Sequence, residues 1–330
     1  MLVVDAMGGD YAPREIVLGV QDFVEETGEK IILVGREEEI KKEFTKKGKI
    51  LGYIEIINAD EVVTMEEKPT VALKKKESSV WKGLQLVREG VAQGFFSAGN
   101  TGAVMASAVL CLGKINGIDR PAIITPLPTL TGQTFLIDAG ANVDVKPENL
   151  FQFTVMAQVY LKTAYQIKNP RVALLSNGEE EGKGNDLIKK TYPILKEKIS
   201  GFIGNIDGKD IFRGVADIIV ADGFVGNIVL KTGEGLAESI FVLLKNEVFT
   251  GFKGSLGGLI LRESLQKIKK RLDYAEYGGA PLLGVNGIVF IAHGRSRRLA
   301  VRNGLKVMTK AVQSGFITEL IKGDFNVRED

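Results

Sequence analysis

The 330-residue chain has one cysteine, Cys111, and one histidine, His293. A lone cysteine closes no intramolecular disulfide and builds no cysteine-rich zinc site, which fits a reducing cytoplasm. A lone histidine confines imidazole chemistry to position 293: a histidine-containing triad must use it, and a metal site must be mostly carboxylate. Excess charge is missing too. Lys+Arg 43 against Asp+Glu 41 leaves a net charge of +2, too weak a field to hold a polyanion, so nucleic acid is set aside as a partner. The opening MLVVDAMGGDYAP meets an acid at Asp5 without a basic stretch or a long apolar stretch before it, so no signal peptide is expected in it. The longest uncharged run, 90–113, is interrupted by Gly94, Gly99 and Gly102, with Ser97, Asn100 and Thr101 among them. It reads as strand, turn and buried helix, and no membrane span is expected.

What is present describes a folded, water-soluble chain, 45% hydrophobic and 25% charged. The length suits two average domains or one large α/β domain. With no repeat, linker or composition break, a single domain over 1–330 is preferred. Short β-branched runs (MLVVDA, KIILVG, YIEIINA, GFFSAG, AIITPL, TFLIDAG, RVALLSNG, FIGNIDG, DIIVADG, NGIVFIAHG) read as strands. Helical patterns over 13–26, 70–90, 146–166, 185–199 and 227–248 lie between most of them. That alternation predicts a mainly parallel, Rossmann-like sheet. AIITPLPTLTGQTFLIDAG has two strands and no helix between, which predicts one antiparallel pair.

Six polar motifs stand where apolar strands end: Asp5 to Asp10, Ser97 to Gly102, Asp138 to Asn142, Ser176 to Gly178, Asp222 to Asn227, and Ala292 to Gly294. In an open parallel sheet such ends line the ligand crevice, and exposed N–H groups at helix starts suit an anion such as phosphate. The same residue types also serve as ordinary caps of βα turns. Nucleotide fingerprints fail: GKGNDL and GEGLAE lack the third glycine of GxGxxG, and GEEEGKG is one residue short of a P-loop. What remains is Lys183, inside the glycine-rich SNGEEEGKG and beside three acids that could simply pair with it. Asn227, in DGFVGN, could donate to an oxyanion or merely cap a helix.

DAMGGD, SAGNTGA, RPAI with LPT, DAGANVD with KPE, LLSNGEEEGKGN, FIGN, ADGFVGN with VLKT, GGAPLLGVNG and AHG follow one another through residues 1 to about 310. In order and spacing they resemble the phosphate acyltransferase family of bacterial phospholipid synthesis. The resemblance implies a three-layer α/β/α sandwich with a protruding helical pair at about 236–272, and no metal or cofactor. It implies transfer of a long-chain fatty acyl group from acyl carrier protein to inorganic phosphate. The acyl phosphate would serve a downstream glycerol 3-phosphate acyltransferase. It further implies a homodimer in the cytoplasm, peripherally bound to the membrane.

Lys183 and Asn227 are then the catalytic candidates. Asp5, Gly8, Gly9, Asp10, Ser97, Gly99, Asn100, Thr101, Gly102, Asp138, Asn142, Asn177, Asp222, Gly223 and His293 are the substrate-binding candidates. The family's His-Gly-Ser-Ser stretch is here His293-Gly294-Arg295-Ser296, and Val145 stands where a cysteine is frequent. The chemistry needs no protein nucleophile, since a thioester is already activated and phosphate already attacks; positioning and oxyanion stabilisation suffice. A phosphate acetyltransferase-like enzyme acting on acyl coenzyme A is the alternative. Phe249, Phe252, Leu256, Leu259 and Ile260, close to Lys253, Arg262, Lys267, Lys269, Lys270 and Arg271, are the expected contacts with an anionic membrane.

Overall fold

Apolar runs without polar alternation need cover on both faces, and here they form one sheet. The computed structural model describes residues 1–45, 49–244, 246, 257, 261–323 and 325. Its strands are β1 (Leu2–Asp5), β2 (Ile31–Gly35), β3 (Ile54–Asn58), β4 (Gly94–Ser97), β5 (Ala122–Thr129), β6 (Gly132–Ile137), β7 (Val172–Leu175), β8 (Phe202–Ile206), β9 (Ile218–Val220), β10 (Ala280–Leu283) and β11 (Ile288–Ile291). They are ordered β3-β2-β1-β4-β11-β10-β5-β6-β9-β7-β8.

Successive strand residues face opposite ways. Val4, Leu33, Phe96, Leu174 and Val220 pack on one face with the helices Arg14–Thr27, Pro147–Ala164, Asp186–Lys198 and Arg298–Gln313. Val3, Ile32 and Phe95 face the other way, under Ser79–Arg88 and Thr101–Leu112. On that same side Leu136 and Ile219 meet Val225 and Val229 of the helix Gly223–Leu243. The result is the expected α/β/α sandwich.

Two parallel blocks make up the sheet. β3, β2, β1, β4 and β11 are parallel to one another, as are β6, β9, β7 and β8. Between them, β11–β10, β10–β5 and β5–β6 are all antiparallel. The single antiparallel pair expected from sequence is thus corrected to three. The hidden strand is β10: APLL carries Pro281, has no β-branched residue and stands between Gly279 and Gly284, which are turn signals on both sides. Three reversals set the two blocks in opposite directions. The six polar strand ends therefore fall into two groups, after β1, β4 and β11 and after β6, β7 and β9, in place of one row. The helix expected over 70–90 also divides, into Pro69–Ala72 and Ser79–Arg88. Ser78 starts the second piece by accepting from Trp81 N, and Lys75 turns back to Val62 O and Glu67.

Gly223–Leu243 stands out from the body, with only Gly223 and Gly226 buried along its 21 residues. Arg262–Leu272 buries none. The expected membrane contacts Phe249, Phe252, Leu256, Leu259 and Ile260 lie outside the described residues. No described helix is long and apolar enough to cross a membrane.

Candidate active site

The two blocks meet beneath the helix Gly223–Leu243, and there a cavity of about 470 Å³ opens. Ile123 and Leu127 of β5 and Ile291 of β11 form its floor, with Leu230, Leu236 and Ile240 of the helix above. Thr101, Asn227, Lys231, Glu234 and His293 supply its polar edge. Thr101 and His293 come from the first block's strand ends, whereas Asn227 and the adjoining Gly140 come from the second. Of the residues expected from sequence, the structure brings Thr101, Asn227 and His293 together at this cavity.

The others build the turns that carry it. Asp5 Oδ2 accepts from Ser97 Oγ at 2.6 Å and Oδ1 from Met7 N at 3.0 Å, and Ser97 Oγ accepts in turn from Gly99 N. A Cβ at Gly8 would lie 2.5 Å from Asp5 Oδ2, so only glycine lets the β1 turn close over this pair. Burial pushes the Asp5 carboxyl above the usual carboxylate range, against the hydrogen bonds that favour its charge. Next to Gly9, Asp10 N donates to Gly294 O and ties the turn after β1 to the one after β11. Asn100 is the cap of Thr101–Leu112: its Oδ1 accepts from Ala103 N, and its Nδ2 donates to Met65 O and Glu67 O. Gly102 follows it, against Pro69.

On the other block, Asp138 and Asn142 form a buried turn joined by Asn142 Nδ2 to Asp138 Oδ2 at 2.8 Å. The cap of Gly223–Leu243 is Asp222, which accepts from Val225 N at 2.8 Å; Asn227 stands one turn further in and is not the cap. Gly223 and Gly226 bring the helix onto the 138–142 turn so closely that a Cβ at Gly226 would meet Asp138 O. That contact fixes where Asn227 points its amide relative to Gly140, whose Cα faces it.

Lys183 lies outside the cavity lining, exposed in the loop after β7. β7 neighbours β9 in parallel, so this loop stands beside the turn that launches the Asn227 helix. Asn177 Oδ1 holds the loop by accepting from Gly184 N at 2.8 Å, and Asn205 Nδ2 donates to Glu180 O. Neighbouring acids pair elsewhere: Glu179 with Lys209 at 2.6 Å and Glu181 with Lys196 at 2.9 Å. Among the described residues Glu179, Asp207 and Asp210 are grouped closely enough to share a cation. The Lys209 ammonium sits among them.

Sequence reasoning passed over Lys231 and Glu234. They form an ion pair at 2.8 Å with side chains 46% and 26% exposed, a setting in which such pairs are worth at most about 1 kcal/mol. The available signal was spacing: Lys231 follows Asn227 by four residues, so both lie on one helix face.

Burial lowers the basicity of His293, and the nearby Lys231 charge lowers it further; Glu234 and Asp10 oppose, while Arg295 adds to the depression. His293 Nδ1 accepts from Arg295 N at 3.1 Å. The folded chain therefore takes up this proton only below the ordinary value of 6.5. Because the unfolded chain takes it up first, His293 disfavours folding progressively as pH falls through that window. Being the sole histidine, its ring proton gives one NMR titration, expected to have its midpoint below 6.5 and to move up in Lys231→Met. A midpoint above 6.5 would contradict the placement of these charges.

Residues 1–319 match the fatty acid synthesis protein family. A phosphate acyltransferase of Carboxydothermus hydrogenoformans is 95% identical over 330 residues, 100% of both chains. One of Dictyoglomus turgidum is 49% identical over 325 residues, 98% of this chain and 97% of that one. In structure the chain is similar to a phosphotransacetylase from Streptococcus pyogenes, with a TM-score of 0.60 and 17% identity over 95% of this chain and 93% of that one. It is also similar to a 4-hydroxythreonine-4-phosphate dehydrogenase from Klebsiella pneumoniae, with a TM-score of 0.57 and 13% identity over 95% and 99%. At such identities these two likenesses speak to the fold alone. From the match along nearly its whole length and the identity to its relatives, the chain belongs to the phosphate acyltransferase family, enzymes of acyl transfer in fatty acid synthesis.

Proposed function

We propose that the protein transfers a long-chain fatty acyl group from acyl carrier protein to inorganic phosphate. The observation that carries this reading is the cavity beneath Gly223–Leu243, polar at Asn227 and Lys231 and apolar from Leu236 to Ile240. Asn227 to Ile240 is about 20 Å of helix, at ~1.5 Å per residue. A two-carbon acyl group has no use for such a wall, and a fatty chain has.

In the reaction a phosphate oxygen attacks the thioester carbonyl carbon. A C–O bond forms, the carbonyl electrons move onto oxygen, and their return breaks the C–S bond; the carrier leaves as thiolate and takes, through water, the proton that hydrogen phosphate gives up. The products are acyl phosphate and free carrier thiol. The Asn227 amide and the Lys183 ammonium stabilise the oxyanion, since fixed dipoles and charges cost no reorganisation as the charge develops.

The test is release of free thiol from long-chain acyl carrier protein, expected only when phosphate is present. Release from short-chain acyl coenzyme A alone would favour the acetyltransferase-like alternative instead. The reading extends to a homodimer held peripherally on an anionic membrane, supplying a downstream glycerol 3-phosphate acyltransferase. Val242 and Leu243 are exposed on one protruding helix, and the other ends in Lys269 and Lys270; apolar and basic groups on such helices suit that surface. Co-sedimentation with anionic but not neutral vesicles, and a dimeric mass in solution, are the expected results. A protein that stays monomeric and in the supernatant sinks this extension.

A further inference from the structure

Among the described residues lining the cavity, Lys231 alone carries positive charge. We propose that Lys231 binds the attacking inorganic phosphate and that Glu234 holds its ammonium in place until phosphate displaces it. This rests on the acyl-transfer reading above and names the nucleophile's site within it.

Three observations converge on it. Lys231 lies four residues beyond Asn227 on one helix, about 6 Å along the axis, so the ammonium and the amide face the same cavity. That separation places an anion bound by Lys231 next to a carbonyl bound by Asn227. Second, the Lys231–Glu234 contact is a single 2.8 Å bond between partly exposed side chains, so a dianion offering several acceptor oxygens can replace one carboxylate. Third, the rest of the lining offers no permanent cation: burial lowers the basicity of His293, and the floor of Ile123, Leu127 and Ile291 is apolar. Lys183, on its loop outside the lining, remains with the oxyanion.

Steady-state thiol release at varied phosphate tests the assignment. Losing a hydrogen bond to a charged group corresponds to a rise of about 10- to 150-fold in phosphate KM for Lys231→Met. The acyl-donor KM is expected to stay within about twofold of wild type and the melting temperature to hold, because a partly exposed ion pair adds little stability. Lys231→Arg should recover most of the phosphate affinity. Glu234→Gln, which removes the competing carboxylate, should lower phosphate KM.

Phosphorus NMR of inorganic phosphate titrated with the donor-free protein gives a readout independent of turnover: line broadening in wild type, lost in Lys231→Met. An unchanged phosphate KM in Lys231→Met, or a donor KM that moves in its place, overturns the proposal. If Lys231→Met does not fold, Lys231→Gln decides by the same criteria and Glu234→Gln by a lowered phosphate KM. Failure of the two readings is distinguishable. Wild type that broadens phosphate but releases no thiol from acyl carrier protein removes the function and leaves the phosphate site. Wild type that turns over normally while Lys231 variants bind phosphate as before does the reverse.

Discussion

Replacing Lys183 by alanine is expected to lower turnover by about 100- to 1,000-fold, the usual effect of removing one preorganised group that stabilises an oxyanion, or about 2.7 to 4 kcal/mol. Folding should hardly change. The side chain is exposed, and among the described residues the ion pairs of this loop belong to Glu179 and Glu181 with other lysines. Exposed substitutions without such partners stay within about 0.5 kcal/mol. Glu180→Ala is the natural control, because it removes a charge from the same loop without touching the ammonium. Thiol release near the wild-type rate from Lys183→Ala, at an unchanged melting temperature, would remove Lys183 from the mechanism.

The loop's place in the sheet explains how an exposed lysine can act at a cavity it does not line. β7 and β9 are neighbours, about 4.8 Å apart as adjacent strands are, and β9 leads directly into the Asn227 helix. The loop that carries Lys183 therefore borders the turn at Asp222. Lys231 enters from further along the helix. One cation beside the developing oxyanion and one beside the nucleophile would divide the two negative charges that acyl transfer to phosphate must bring together.

Much of this arrangement is visible in the chain before any coordinates. Strands buried on both faces show themselves as continuous apolar runs, as in IILVG and VALL, because nothing polar can be tolerated on either side. APLL fails to show itself because it holds a proline, has no β-branched residue and is hemmed in by glycines. The opposed directions of the two blocks escape for a related reason: a strand's sense relative to its neighbour depends on its connection, and the deciding connections run through that hidden strand. The site divides the same way. Asn227 stands in a glycine-rich motif at a helix start and attracts notice. Lys231, in VLKT of an apolar helix, looks like any solvated lysine until the spacing of four from Asn227 is counted. Asn100 shows the converse, for an asparagine before a helix suits both an anion and a cap. The two backbone carbonyls waiting at Met65 and Glu67 cannot be read from the sequence around position 100.

The same ambiguity surrounds Asp138, and its substitution is expected to have the largest effect on stability. Oδ1 accepts from Ile123 N at 3.1 Å, Gly140 N at 3.1 Å and Ala141 N at 2.9 Å. Oδ2 accepts from Asn142 N at 2.7 Å and Asn142 Nδ2 at 2.8 Å. One buried carboxylate thus joins β5 to the turn after β6 and fixes the surface on which Gly223 and Gly226 rest. Burial raises its pKa even against the hydrogen bonds that favour its charge. Asp138→Ala strands the donors, at about 1 to 3 kcal/mol for each that water cannot reach. Gly140 is exposed and can be rehydrated, whereas Ile123 and Asn142 are buried. Three buried donors at that figure give a loss of about 3 to 9 kcal/mol, a large part of the 5 to 15 kcal/mol that holds a typical domain together. Asp138→Asn keeps one acceptor oxygen and should lie between alanine and wild type. Urea denaturation of the three proteins reads this order. If Asp138 served substrate alone, both variants would unfold at the wild-type midpoint and differ only in turnover, and that result would return Asp138 from the scaffold to the site.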